Sequence, residues 1–319
     1  MNRRAIVDWA ILVIVSGASW LVYANQQDIS DWWLLRSYQA PVAIAQLAEA
    51  TDMSELGQRR FFASQPELND AANFNTNCPF PDRSLVLGCY AEGRIYIYEI
   101  NSDKLDGVEE VTAAHEMLHA AYARLSAGER KYVDALTDSA FNQSDNQRLK
   151  DTIEGYRQED PGALPNELHS ILGTEIRDLP SELEDYYRRY FDDRGRVVGI
   201  AESYEQVFID LQEEIASMAD EIADLKNQIE VREAKLSIQR RELDDEAERL
   251  RKLREAGEFE RYNAGVPGYN AQVNAYNAGV ETYQSLVERH NALVKEHNEL
   301  ALEQNELIHS LDSKFSPVN

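Results

Sequence analysis

The sequence predicts an α+β protein, mostly α, in which a compact mixed domain stands between an N-terminal apolar helix and a long antiparallel coiled-coil hairpin. Three observations carry this expectation. Residues 5–24 form an almost uninterrupted apolar run; two β-rich segments near residue 90 flank a glycine-containing turn; and apolar residues recur in two heptad series beyond Tyr204. The expected divisions are an apolar segment at 1–24, a linker at 25–40, a compact domain at 41–200, the coiled-coil hairpin at 201–312 and a tail at 313–319.

The run "AIVDWAILVIVSGASWLVYA" from Ala5 to Ala24 is apolar except for Asp8, and it has about the ~20 residues that a helix needs to cross a bilayer. Arg3 and Arg4 precede it while Asp28 and Asp31 follow. This asymmetry predicts a single span with the N-terminus in the cytoplasm and the rest of the chain outside. A cleaved secretory signal is the alternative, with Ala24 as the small residue at a processing site. Either way the remainder is exported. Asn25 to Ala40 reads as a short linker whose "DWWLL" tryptophans rest at a membrane surface or pack on the next domain.

A formal charge of -25 excludes a nucleic-acid backbone as partner, because the two polyanions repel before specific contacts form. The only cysteines, Cys78 and Cys89, lie close together in "CPFPDRSLVLGC". In an exported segment they are expected to form a disulfide that closes a small loop. Two free buried thiols are the alternative if the segment is not exported.

Within the compact domain, "PVAIAQLAEATDM" reads as an amphipathic helix. "SLVLGCY" and "RIYIYEI" read as strands joined through Ala91, Glu92 and Gly93, the spacing of a three-residue turn with glycine at the left-handed position. Alternation in the second strand puts Ile95 and Ile97 on one face and Tyr96 and Tyr98 on the other.

Beyond Tyr204, Ile215, Ile222, Ile229, Leu236, Leu243 and Leu250 lie seven apart, with Leu211, Met218 and Leu225 between them. The pattern stops at Ala256-Gly257. A second series then recurs as "YNAGVPG", "YNAQVNA", "YNAGVET", with Val266, Val273, Val280, Val287 and Val294 seven apart. Two such arms joined by a short link bury both seams most simply by folding back on each other. Asn263, Asn270, Asn277, Asn291 and Asn298 form either a buried register-setting column or a solvent-facing flank. Pro267 and Gly268 suggest that the return helix starts or restarts there.

The chemistry lies in "EVTAAHEMLHAAYARL", residues 110–125. On a helix His115 and His119 project from one face, close enough for both imidazoles to bind one tetrahedral zinc at about 2.0 to 2.1 Å, with Glu116 beside the open position. Every other residue from Val111 to Ala123 is uncharged, so these three sit on a helix expected to be buried. An unpartnered charge there is destabilising, and metal ligation removes that problem.

"TAAHEMLHA" resembles the active-site helix of the zinc metallopeptidases called zincins, over roughly Cys89 to Leu179. The resemblance implies His115 and His119 as zinc ligands, Glu116 as general base, and a peptide substrate lying along an edge strand, for which "RIYIYEI" occupies the matching place. Metzincins take a third histidine from an extended motif, which "HAAYARLSAGER" lacks. Gluzincins take a glutamate from a later helix, and "LPNELHSILGTEIRDLP" offers Glu167 and Glu175.

At about 100° per residue Glu175 falls in the middle of the stripe formed by Leu164, Leu168, Ile171, Leu172 and Leu179, whereas Glu167 is explained as a first-turn residue favoured by the helix dipole. Glu175 is therefore preferred as third ligand, with Glu167 the alternative. His169 lies off the stripe, as a group beside the metal, an oxyanion donor or a surface histidine. Gluzincins also carry an aspartate that orients a ligand histidine, but Asp178 is three residues from Glu175 rather than four. Tyr156, Tyr186, Tyr187 and Tyr190 are candidate oxyanion donors.

The resulting expectation is a membrane-anchored, extracytoplasmic zinc peptidase whose coiled coil reaches a partner, a substrate or another copy. The contrasting expectation is a non-catalytic cell-surface adaptor or scaffold in which the coiled coil is the functional part.

Overall fold

The computed structural model describes residues 26–79 and 86–314, together with residue 16. The proposed span at 1–24, apart from Ser16, and the last residues of the tail lie outside the described residues. Among the described residues no helix is long and apolar enough to cross a membrane. The protein is mostly helical with one small sheet, and it divides into two compact units. One comprises Met1–Val207 with Leu307–Asn319, the other Phe208–Glu306.

In the first unit, the residues expected to form a linker instead contain helix α1 (Gln26–Ser37). Asp31 explains this. Its carboxylate is buried, accepts from Arg124 Nε at 3.0 and 3.2 Å, and pairs with Arg60, so the helix is tied down by a charge that has two partners. Helices α2 (Val42–Ala50) and α3 (Glu55–Ala63) follow. The side chain of Ser54 caps α3 by accepting from the Gly57 N–H.

The sheet comprises β1 (Glu67–Asn69), β2 (Gly88–Ala91) and β3 (Arg94–Tyr98), in the order β1-β3-β2. β3 therefore lies in the middle, parallel to β1 and antiparallel to β2. This overturns the expectation that "RIYIYEI" is an edge: the distant segment Glu67–Asn69, too short to read as a strand, occupies its second side. The turn also differs. Ala91 pairs with Arg94, leaving Glu92 and Gly93 as a two-residue loop, both with positive φ (51° and 82°). Such a turn matches strand twist better than the three-residue loop expected. Ile95 and Ile97 are fully buried on one face; Tyr96 and Tyr98 pack on the other against Phe74 and the cysteines. Helix α4 (Ala71–Asn77) ends at Cys78, and a Cys78–Cys89 disulfide ties it to β2.

Helix α5 (Val108–Ala123) is the core of the unit, with Ala113, Ala114, Met117, Leu118 and Ala120 inaccessible to solvent. It packs chiefly against α8 (Leu164–Thr174), and also against α2, α3, β2 and β3. A Cβ on Gly173 of α8 would stand 2.3 Å from Leu118 and 2.8 Å from Tyr187, so only glycine allows this approach. Helices α6 (Ala127–Gln143), α7 (Gln147–Glu159) and α9 (Ser181–Tyr187) complete the layer.

Two long helices, α10 (Arg194–Glu255) and α11 (Phe259–Leu311), supply the second unit, turning at Gly257 with φ 71°. Within it, an added Cβ on Gly265 would meet Leu250 and one on Gly279 would meet Leu236, while Arg289 pairs with Glu221. Rising numbers on one helix meet falling numbers on the other, so the arms are antiparallel. Leu211, Leu225, Leu243 and Leu250 are buried. The asparagine column is exposed throughout, and the second seam position is filled by half-buried Tyr262, Tyr269, Tyr276, Tyr283, His290 and His297. Pro267 lies inside α11, which neither starts nor restarts there. The carbonyl that loses its N–H partner belongs to exposed Asn263, where water can satisfy it.

Candidate metal centre

Helix α5 starts immediately after Gly107, which holds a left-handed φ of 96° and approaches Ile200 too closely for any Cβ. Glu109 and Glu110 in the first turn complement the helix dipole. One helical turn separates His115 from His119, whose ring centroids are 4.7 Å apart. Ligand atoms of His115, Glu116 and His119 all lie within 4.8 Å of one another, and all three residues are buried or nearly so.

Pro165 opens helix α8, and Glu167 in its first turn faces these histidines. Its Oε2 is 3.6 Å from His115 Nε2 and its Oε1 is 3.6 Å from His119 Nε2. The outer ring nitrogens face other groups. Ser170 Oγ lies 3.2 Å from His119 Nδ1, and Glu175 Oε1 lies 3.9 Å from His115 Nδ1. Glu175 in turn accepts from Arg148 at 3.0 Å, and Arg148 also pairs with Glu205.

The two candidate glutamates therefore occupy different positions from those the helical wheel implies. Helix α8 ends at Thr174, and Glu175 is its cap residue with φ -121°, so a helical wheel that runs on to Leu179 does not apply to it. Burial does not separate them either: the side chains are 17 % and 18 % exposed. What separates them is direction, Glu167 meeting the Nε2 atoms and Glu175 the opposite nitrogen of one ring.

Glu116 is buried, and its Oε2 has no hydrogen-bond partner. Burial pushes its carboxyl up to about 8 and Glu167 adds to that, against the opposing effects of His115 and the Tyr90 backbone N–H. For His115, burial disfavours the imidazolium, but Glu167, Glu116 and Glu175 outweigh it and raise the group to about 9. Burial lowers His119 to about 4, helped by His115. Burial also opposes ionisation of Glu167, yet its bond to His115 and the charges of both histidines hold it below the usual carboxylate range. Tyr156 of α7 hydrogen-bonds Glu167, and burial followed by that carboxylate raises its phenol.

His169 is inside the core, not on the surface: its Nε2 is 3.0 Å from the Tyr186 hydroxyl, its carbonyl accepts from Tyr187 at 2.6 Å, and Nδ1 has no partner. Burial, then His119 and His115, lowers it to about 3. Tyr186 and Tyr187 are thus committed to His169. Of the four tyrosines considered, Tyr156 is the one bonded to a candidate ligand.

Sequence reasoning missed Ser170, Arg148 and Gly88. Ser170 was within reach, since it follows Glu167 by three residues and shares its helix face. Gly88 was not. A Cβ there would stand 2.6 Å from Thr112 and 2.7 Å from Glu116 Cγ, so β2 lies against the helix at the point where Glu116 projects.

The donor set suits a divalent cation such as zinc. The two 3.6 Å separations run to different oxygens of Glu167, so both of its carboxylate oxygens face the histidine pair. The unpartnered buried oxygen of Glu116 adjoins this cluster. Comparison with protein-family models, curated proteins and solved structures gives no match for the chain.

Proposed function

We propose that this protein is a zincin-like, gluzincin-type zinc peptidase, anchored by residues 1–24 with its metal-binding unit outside the cytoplasm. The observation that carries the reading is the convergence of His115 Nε2, His119 Nε2 and the Glu167 carboxylate beside a buried Glu116 oxygen that lacks a partner. Three ligands with an adjoining base describe an open catalytic site, whereas a structural zinc is normally closed by four ligands. The third ligand proposed is Glu167. Ser170 fixes His119 through Nδ1, the arrangement by which an outer group orients a ligand imidazole, while Glu175 adds only its charge 3.9 Å from His115 Nδ1.

Zinc held there would polarise a carbonyl and lower the pKa of water to about 7. Glu116 would take the proton of a water so activated as it adds to the peptide carbonyl, and would pass it to the amine that departs when the C–N bond breaks. Burial that holds its carboxyl near 8 in the metal-free protein is offset by any cation beside it, which favours the carboxylate. Tyr156 donates its phenol O–H to Glu167 and so holds that carboxylate in place beside the histidines.

The substrate segment is best supported along β2 rather than β3. Leu87 O accepts from Tyr98 N–H, and antiparallel alternation from that pair turns the backbone groups of Gly88 and Tyr90 away from β3. The Tyr90 N–H already donates to Glu116, and an extended peptide can add as a further strand to the remaining groups of such an edge. The Cys78–Cys89 disulfide is consistent with an exported unit.

The test is elemental mass spectrometry of the full chain with a peptide-library screen. About one zinc per chain and cleavage that Glu116→Gln lowers by roughly 10²–10⁴-fold, with zinc retained, are expected. A chain purified without chelator that carries no zinc overturns the reading and makes the coiled-coil hairpin the place to look for function.

A further inference from the structure

Helix α1 has two faces of opposite kind. Its inner face holds Asp31 in the buried pairs with Arg60 and Arg124, flanked by half-buried Leu34 and Leu35. At about 100° per residue, Ile29, Trp32, Trp33 and Arg36 fall within one arc of ~100°, whose middle is ~150° from Asp31. That arc points outward. Ile29 is 41 %, Trp32 54 % and Trp33 62 % exposed. The two indoles meet edge to face at 5.2 Å, and the Arg36 guanidinium lies 5.6 Å from the Trp32 ring centre.

Two adjacent tryptophans left this open to water on a helix whose other face is pinned by charge call for an occupant. The chain itself says what is nearby. The apolar run ends at Ala24 and α1 is described from Gln26, two residues further along the chain. Even fully extended, that connection spans about 7 Å.

We propose that the Ile29, Trp32, Trp33 and Arg36 face lies in the headgroup layer of a phospholipid bilayer and holds the metal-binding unit in one orientation at the membrane. The inference rests on the reading of residues 5–24 as a membrane span. Indole rings favour this layer because they join an apolar body to an N–H donor, and an arginine beside them reaches the phosphates. Tryptophan then acts as an interfacial anchor, while the Asp31 pairs transmit its position to α3 and α5. With a formal charge of -25 the protein is repelled by anionic surfaces, so the lipid expected is zwitterionic.

The chain has four tryptophans, at positions 9, 20, 32 and 33, which makes a direct test available. The full chain is placed in phosphatidylcholine nanodiscs as Trp9→Phe/Trp20→Phe, where only the α1 pair emits, and as Trp32→Phe/Trp33→Phe, where only the apolar run emits. The α1 pair is expected to be shielded from aqueous iodide and quenched most by lipids brominated near the headgroup. The pair at 9 and 20 is expected to include quenching by deeply brominated lipids. If the pair at 9 and 20 is quenched by lipid while the α1 pair is quenched only by iodide, the span stands and the interfacial face is overturned. Lack of lipid quenching in both chains sinks the span and the inference together. Shielding of the α1 pair that rises with protein concentration and is insensitive to bromolipid assigns the face to a second copy and overturns the proposal.

Discussion

Helix α5 and the coiled-coil arms treat their polar residues in opposite ways. At the centre of α5 titratable groups are enclosed: Glu116 and His119 are buried, and burial moves both their protonation equilibria. Along α10 and α11, ion pairs such as Arg240–Asp244 and Arg251–Glu255 stand in solvent with side chains half exposed or more. An exposed pair contributes about 0 to 1 kcal/mol, so the arms depend on their apolar seams. A buried polar group is different, because each one left without a partner is strongly unfavourable. The same periodicity that makes the arms easy to read therefore says little about α5, where the decisive contacts come from distant segments.

The largest effect that sharpens this contrast is on metal affinity. Glu167→Gln removes a proposed ligand and should cost far more affinity than Glu175→Gln, which acts on His115 only through its charge and should weaken binding by no more than roughly 10–100-fold. Competition with a chromogenic chelator measures both; equal losses would break the distinction between the two glutamates.

Gly88→Val should come next. The added Cβ meets Thr112 and Glu116 at under 3 Å, and overpacking of this kind typically lowers stability by about 1–3 kcal/mol. Thermal unfolding reports it, while an equal substitution at Gly128, where an added Cβ meets nothing, should leave packing unchanged.

The buried His169 makes stability depend on pH. Its folded value is lowered to about 3 from an ordinary 6.5, so the unfolded chain binds a proton that the folded chain does not. The corresponding stability is fully present above pH 6.5 and is lost as pH falls toward 3, at no more than about 1.4 kcal/mol per unit. Denaturant unfolding of metal-free protein from pH 7 to 4 should fall less steeply in His169→Gln than in the parent, whatever the variant's starting stability. Parallel curves would show that His169 takes up its proton without unfolding.

The smallest effects belong to the arms. Asn277→Ala changes an exposed side chain and should shift unfolding by within about 0.5 kcal/mol. A loss of several times that would mean that the asparagine column sets register after all.

By itself the sequence determined the features that need only local spacing. These are the buried face of α5 with His115 and His119 one turn apart, the alternation of Ile95 and Ile97, the nearby cysteines, and two heptad arms separated at Gly257. Tertiary structure decided what depends on partners far along the chain. Glu67–Asn69 fills the second side of β3 and, among the described residues, leaves β2 at the edge. Arg60 and Arg124 turn an expected linker into α1 by enclosing Asp31. Two equally buried glutamates are separated only by which nitrogen each one meets. Periodicity reports which face of a helix turns inward; the direction of a carboxylate within that interior depends on where the helix stops and on which cation, here Arg148, takes it first.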